Sequence, residues 1–445
     1  MNLKSILLAC GLVLLMTLGA RANNMLVQNV TTLGNDAVNK TIQVQFDISW
    51  DNSWRDSINY DAAWIFMKFK NASGVWQHVQ LNQTGFVNGT GTANTVQVTS
   101  DKVGSWLCRS ALGSGTFNST AMQLQWNYGL AGLTNVTGLE VRVFAVEMVY
   151  VPEGEFNVAK GFRQSGTRTF SAPGNNFPVI NQRLTPVLSY NDGTAVSLRL
   201  KGDAGIDTNS DGVIDNTTYP IGYRSFYAFK FEMTEQQYAD FLNTLGATQI
   251  ATLGIAGLPG GITLTNGQYF SSQPNRACGN SNASTLLPAN RLLAYSDWAG
   301  LRPMTILEFN KASYGPLQPI AGNYGAGTNY NYAAWGSSGR PTGYDGQTTN
   351  NTLVNVGFYG SSITDRTGSG ASYYGLLDLT GNASEPVVGL SNLGYGSANG
   401  NGILSASGLS DEQGWSSSLL IWIDMDDNWA SSIQFRGFRY VRSAE

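Results

Sequence analysis

The chain is poor in charge. Asp, Glu, Lys and Arg make up only 13% of its 445 residues, with 26 Lys and Arg against 30 Asp and Glu and a formal net charge of −4. No basic block breaks this balance, so the electrostatic footprint of a nucleic-acid binder is missing. Cysteine is scarce, and 3 residues cannot build a disulfide-dense scaffold. A single histidine, His78, leaves little for His-based zinc or iron sites, or for Ser-His-Asp chemistry. Beyond the N-terminus no apolar run is long enough to serve as a transmembrane anchor. The nearest, residues 247–265, is broken by Pro259 and several glycines, and a spanning helix needs about 20 apolar residues. What is present is 42% hydrophobic and 11% aromatic residues, too apolar a chain to stay disordered. The 52 glycines, with abundant Asn, Ser and Thr, imply polar loops around β-rich cores. At this length two or three domains are expected.

Residues 1–22 have the layout of a secretory signal peptide. Lys4 gives the positive start, Ile6 to Leu18 the short apolar run, and Ala20-Arg21-Ala22 a small-x-small cleavage site. A lipoprotein signal is rejected, because the apolar run continues past Cys10. Removing the segment takes Lys4, Arg21 and Cys10 but no acid, so the formal charge becomes −6. The expected location is secreted, extracellular or cell-surface. Cys108 and Cys278 remain. They can pair in an oxidising compartment or stand as buried unpaired thiols.

Residues 23–146 alternate at period two. Ile42, Val44, Phe46, Ile48 and Trp50 fall on one face of a strand, with Gln43, Gln45, Asp47 and Ser49 on the other. The same pattern recurs at Met122, Leu124 and Trp126, and at Leu139, Val141, Val143 and Ala145. Residues 64–69 are apolar on both faces, as a central strand would be. Turn clusters at 71–74 and 88–91 punctuate the runs. The fold class expected for this half is an antiparallel β-sandwich. Trp50 and Trp54 suit core or rim packing better than sugar binding.

From about Met148 the grammar changes to long Gly/Asn/Ser-rich loops with a few short helices. Thr234 with Gln237 forms a capping-box pattern, after which Tyr238, Phe241 and Leu242 share a helical face. Residues 292–299 read as a second helix closed by Gly300. Thr305 with Glu308 opens a third. So much irregular chain calls for metals, buried polar networks or tight turns to order it.

Six segments of this half resemble, in order, the formylglycine-generating enzyme (sulfatase-modifying factor) family. They are residues 148–156 (MVYVPEGEF), residues 230–234 (KFEMT) with Tyr238 and Phe241, residues 301–305 (LRPMT) with Glu308 and Phe309, Ala334-Trp335-Gly336, residues 375–382 (GLLDLTGN) with Glu385, and Arg436-Gly437-Phe438-Arg439. The resemblance covers about residues 148–442. It implies a C-type-lectin-like domain over residues 147–445, so the whole reads as a β-rich α+β protein of two parts. Within it, Gly381 permits a turn closed to other residues, and Asp378 and Asn382 can cap neighbouring backbone. Arg436 and Arg439 can pair with carboxylates such as Glu308 or Glu385.

Departures from the family bear on activity. The catalytic relatives carry a copper-binding cysteine pair late in the domain, and this chain has no Cys from Gly389 to Glu445. Ergothioneine-type relatives use a His cluster for iron, whereas His78 lies outside the domain and is expected on the surface. Glu385-Pro386 stands where the family has Glu-x-Trp. No catalytic residue is assigned, and neither copper nor iron is expected.

The most specific chemical motif is a calcium loop inserted near residues 203–218. Asp207, Asn209, Asp211, Val213 and Asp215 follow the D-x-N-x-D-G-x-x-D spacing, with side-chain oxygens at positions 1, 3, 5 and 9, a carbonyl at 7 and Gly212 at the sharp turn. Thr218 replaces the usual Glu at position 12, and Asp203 or Asn216 could substitute. The alternative is a polar surface turn. A second candidate lies in residues 411–434, where Trp415, Trp422 and Trp429 accompany Asp424, Asp426 and Asp427. Aromatics beside carboxylates suit a carbohydrate or protein ligand. The alternative is that residues 419–423 form a buried strand and the acids a solvated turn. The expectation is a binding or structural protein, such as an adhesin or a subunit of an extracellular assembly or filament that self-associates. An oxidase or modifying enzyme of the same family with an unrecognised site is the alternative.

Overall fold

Alternating apolar residues set the first half as strands, and the computed structural model shows which faces they bury. It describes residues 24–158, 179–180, 215–253, 258–279, 289–317, 353–357, 371–379, 382–383, 385–389, 394–416, 420–423 and 437–445. In chain order the strands are β1 (Leu26–Asp36), β2 (Thr41–Arg55), β3 (Asp61–Lys70), β4 (Trp76–His78), β5 (Thr90–Gly91), β6 (Asn94–Val98), β7 (Ser105–Arg109), β8 (Gly113–Asn127) and β9 (Glu140–Val151). There follow β10 (Phe156–Asn157), β11 (Val179–Ile180), β12 (Phe226–Phe229), β13 (Ile262–Thr265), β14 (Gln268–Ser271), β15 (Arg302–Pro303), β16 (Glu385–Val388), β17 (Leu420–Ile423) and β18 (Tyr440–Ser443). A 3-10 turn (Tyr128–Ala131) and helices α1 (Glu235–Leu242), α2 (Ala247–Leu253), α3 (Ala289–Trp298) and α4 (Ile306–Tyr314) complete the regular elements among the described residues. The fold is β-rich, with antiparallel sheets and few helices.

One sheet runs β1-β2-β8-β5. An eight-stranded sheet runs β15-β18-β12-β9-β3-β7-β6, with β4 added beside β3. The two face each other across one core. Val44, Phe46, Ile48 and Trp50 of β2 and Met122, Leu124 and Trp126 of β8 meet Ile65, Met67 and Phe69 of β3 there, all at most 1% exposed. The other face of β3 is buried too. Trp64 and Phe66 pack with Phe241 of α1 and with Tyr295 and Trp298 of α3 in a second core, with ring centroids 5.0 Å apart for Phe66–Trp298 and 5.3 Å for Phe241–Trp298. This accounts for the continuous apolar run of residues 64–69: the strand is covered on both sides. A third core gathers Ile306, Leu307 and Phe309 of α4 against Val149 and Val151 of β9.

The helices start where their caps say. Thr234 Oγ1 accepts from Gln237 N at 3.2 Å while Gln237 Oε1 accepts from Thr234 N at 2.9 Å. Thr305 and Glu308 repeat the exchange at 3.2 and 3.0 Å. Each pairing satisfies backbone donors that the first helical turn cannot. After α3 the chain reverses at Gly300, whose φ of +69° favours glycine and where a Cβ would come within 2.5 Å of Val103.

Strand β9 joins the two halves. Its residues 140–149 pair with β3 on one edge and its residues 148–151 pair with β12 on the other, in one sheet. The expected boundary at 146/147 therefore lies inside a single strand. Side chains reinforce the tie: Trp64 Nε1 donates to Ala299 O at 2.8 Å, and Asn59 Nδ2 donates to Tyr374 O at 2.6 Å.

Candidate functional site

Charge that the sequence uses sparingly is concentrated in the interior. Arg302 forks onto Glu308, Nη1 to Oε2 at 2.8 Å and Nη2 to Oε1 at 2.6 Å, and both side chains are 2% exposed. Arg439 Nε donates to Glu385 Oε1 at 2.7 Å, and its other nitrogens donate to Phe229 O and Leu377 O, each at 2.6 Å. The expected Arg439–Glu385 link is present. Glu308 takes Arg302 instead of a C-terminal arginine, because β15 places Arg302 just before α4. Arg436 lies outside the described residues.

Around Arg439 three carboxyls converge. Glu232 accepts from Ala383 N at 2.9 Å and Asn382 Nδ2 at 2.5 Å, and Asp378 accepts from Gly357 N at 2.5 Å. Asp378 and Asn382 hold left-handed backbone, φ +60° and +56°, and their side chains accept from Gly357 N and Val354 N, in a segment distant in sequence and not in their own turn. Gly381 is outside the described residues. Burial raises the Glu232 carboxyl, with Asp378 and Glu385 adding to the effect. Burial likewise lifts Asp378 to about 6 and Glu385 to about 7, against the pull of Arg439. One guanidinium does not neutralise three acids, so protons discharge this centre.

A second centre spans the halves. Asp61 at the start of β3 accepts from Trp50 Nε1, Ser53 Oγ and Trp54 N, each at 2.9 Å. Lys230, just past β12, donates to Glu147 Oε1 at 2.5 Å and to Asn52 O at 3.2 Å, and lies 3.8 Å from Asp61 Oδ2. Its ammonium sits 4.7 Å from the Trp54 ring centre. Glu147 Oε2 has no donor when ionised and can bond Asp61 only through a shared proton. Burial and the Asp61 charge lift Glu147 to about 8 despite Lys230.

His78 is not on the surface. Strand β4 sets it opposite Lys68 in register, and it is 7% exposed. Its Nε2 lies 2.7 Å from Val103 O, and its Nδ1 lies 2.9 Å from Lys68 Nζ. Lys68 also donates to Trp298 O at 2.7 Å and Gly402 O at 2.5 Å. The ring is therefore neutral, with its proton on Nε2. Burial, then the Lys68 charge, holds it well below the usual histidine range. The pairing is invisible in sequence because β4 has only 3 residues.

Next to this node, Asp297, Asp411 and Glu412 bring one carboxylate oxygen each within 4.8 Å of one another. Burial lifts Asp297 to about 6 and Glu412 to about 7. Asp297 already accepts from Ser410 Oγ, Asp411 N and Asn401 N. The group could hold a cation, with no feature that selects calcium.

The predicted calcium ligands Asp207, Asn209, Asp211 and Val213 lie outside the described residues, and only Asp215, exposed, is placed. Asn216 accepts from Thr218 and donates to Tyr395 O at 2.8 Å. Of the late aromatic and acidic set, Trp415 is half-buried with its ring centre 6.5 Å from that of Tyr395. Trp422 lies in β17, which pairs with β16; its side chain, with Asp424, Asp426, Asp427 and Trp429, is outside the described residues. Cys108 and Cys278 are buried, unpaired thiols. Trp50 is buried, and Trp54 packs partly buried against the third core. No helix among the described residues is long and apolar enough to cross a membrane.

One surface feature stands apart. Among the described residues β1 pairs only with β2 and is exposed along most of its 11 residues; Asp36 is its one charged side chain. Leu26, Val30 and Leu33 are 46%, 38% and 38% exposed. Its ladder carries two irregularities, between Gln28 and Thr31 and between Leu33 and Asp36. Comparison with protein-family models, curated proteins and solved structures finds no match.

Proposed function

We propose that the chain is a secreted or cell-surface binding or structural protein, an adhesin or a subunit of an extracellular assembly. An antiparallel β-sandwich and a sulfatase-modifying-factor-like, C-type-lectin-like domain serve as scaffold and not as catalyst. The observation that carries this reading is β1. A long edge strand offers a row of backbone donors and acceptors to another strand; proteins that avoid association blunt such edges with Lys, Pro, bulges or a covering element, and of these β1 shows only two ladder irregularities among the described residues. The β1 sequence has no Lys, Arg or Pro. Its natural occupant is another strand, from a second copy or a partner chain. The buried state of Cys108, Cys278 and His78 agrees with a structural use of the fold. Calcium in the loop at residues 207–215 completes the proposal as a structural ion.

The test is the oligomeric state. Light scattering and negative-stain imaging of the wild type should show association that grows with concentration. Val30→Lys with Thr32→Lys should reduce it, since edge lysines oppose strand addition. A wild type that stays monomeric at all concentrations sinks the assembly reading. Metal analysis separates the enzyme alternative: stoichiometric redox-active copper or iron would favour it.

A further inference from the structure

We propose that Lys230 and Asp61 condense into an intramolecular isopeptide bond, with Glu147 relaying the proton. The three side chains are at most 5% exposed and come from elements far apart in sequence. The nucleophile, Lys230 Nζ, is 3.8 Å from Asp61 Oδ2 and 2.5 Å from Glu147 Oε1. The electrophile is already gripped. Asp61 Oδ1 accepts from the Trp54 backbone N–H and the Ser53 hydroxyl, the donor arrangement that stabilises an oxyanion. Trp50, Trp54 and Phe231 line the site and exclude water.

The reaction needs no co-reactant. Glu147 takes a proton from the ammonium, and the freed amine attacks Cγ of Asp61. A Nζ–Cγ bond forms and the Cγ–Oδ2 bond breaks. Oδ2 leaves as water carrying two of the three ammonium protons, the third stays on the amide nitrogen, and Glu147 ends as it began. One positive and one negative charge disappear together. In water such a condensation runs uphill, but here it removes two buried charges whose desolvation is costly. The unreacted site sets two carboxyls against one ammonium; after the bond forms only the Glu147 carboxylate remains, and one proton taken up from solvent makes the product site neutral. Lys68, also buried, has His78 and two backbone carbonyls as its acceptors among the described residues, with no carboxyl to join, so it makes no such bond.

The experiment is a tryptic digest of the purified full chain, denatured first and read by mass spectrometry. We expect the peptide containing Asp61 joined to the one containing Lys230, lighter than the two together by one water, with cleavage after Lys230 blocked. The link should vanish in Lys230→Arg and fall sharply in Glu147→Gln. Cleavage after Lys68 should proceed, since its side chain forms no cross-link. Full recovery of a free peptide ending at Lys230 from wild type overturns the proposal, whatever the variants do. Fragment ions placing the bond on Glu147 would also overturn it.

Discussion

His78 Nδ1 lies 2.9 Å from Lys68 Nζ, so the single histidine of the chain is the acceptor for a buried ammonium. A proton on Nδ1 would set two cations against each other in the interior. The folded pKa of His78 lies below the unperturbed 6.5. The unfolded chain then binds the proton first, so the stability this residue contributes is complete above 6.5 and is lost as pH falls through the folded value. Asp101, Asp297 and Arg442 flank the node, and Asp297 titrates near 6. His78→Gln can accept from Lys68 and donate to Val103 without titrating. Melting curves should show wild type losing stability relative to His78→Gln as pH drops below 6.5, and parallel curves would refute the assignment.

Arg439→Ala should be severe. Among the described residues it is the one base at a centre of three buried carboxyls, and breaking a buried pair costs about 3–5 kcal/mol. Glu385 titrates near 7 in the fold against 4.5 unperturbed, so folding takes up its proton. That contribution is present below 4.5 and is lost as pH rises through 7. Urea titrations should show the deficit of Arg439→Ala widening from acid to neutral pH.

The two capping threonines should differ. Thr234→Ala removes one cap, worth about 1 kcal/mol. Thr305→Ala should cost more, about 2 kcal/mol, because its hydroxyl also donates to Pro220 O at 2.7 Å. Chemical denaturation of both variants checks the order.

Gly402→Ala should destabilise through His78. At φ +82°, a Cβ there would sit 2.2 Å from His78 Nδ1. The left-handed backbone alone costs about 1–2 kcal/mol. In a His78→Ala background the same substitution should cost less, and a double-mutant cycle measures the difference. Equal costs in the two backgrounds would dismiss the contact.

If calcium fills the loop at residues 207–215, chelation should lower the melting temperature and Asp207→Ala should mimic it. Extracellular sites bind at about 10⁻⁴–10⁻³ M, so millimolar calcium should restore the wild type and not the variant. A melt unchanged by either treatment removes the ion from the account.

What the sequence revealed was local. The face of Ile42 to Trp50, the double burial of residues 64–69 and the two capping boxes depend on residues at most eight apart, and each is found as expected. Polar partners were harder. Lys68 meets Gly402 across 334 positions and Lys230 meets Glu147 across 83, and no spacing rule spans such distances. Arg439–Glu385 was foreseeable only because a buried guanidinium needs a carboxylate. His78 misled because its strand is too short to show a period.

Strand β9 has a mechanical consequence. Its backbone pairs with β3 on one side and with β12 on the other, so a tear between the halves must strip the β9–β12 ladder and cannot run along a linker. Parting the halves would have to break the β12 pairing with Met148 to Val151 inside a sheet.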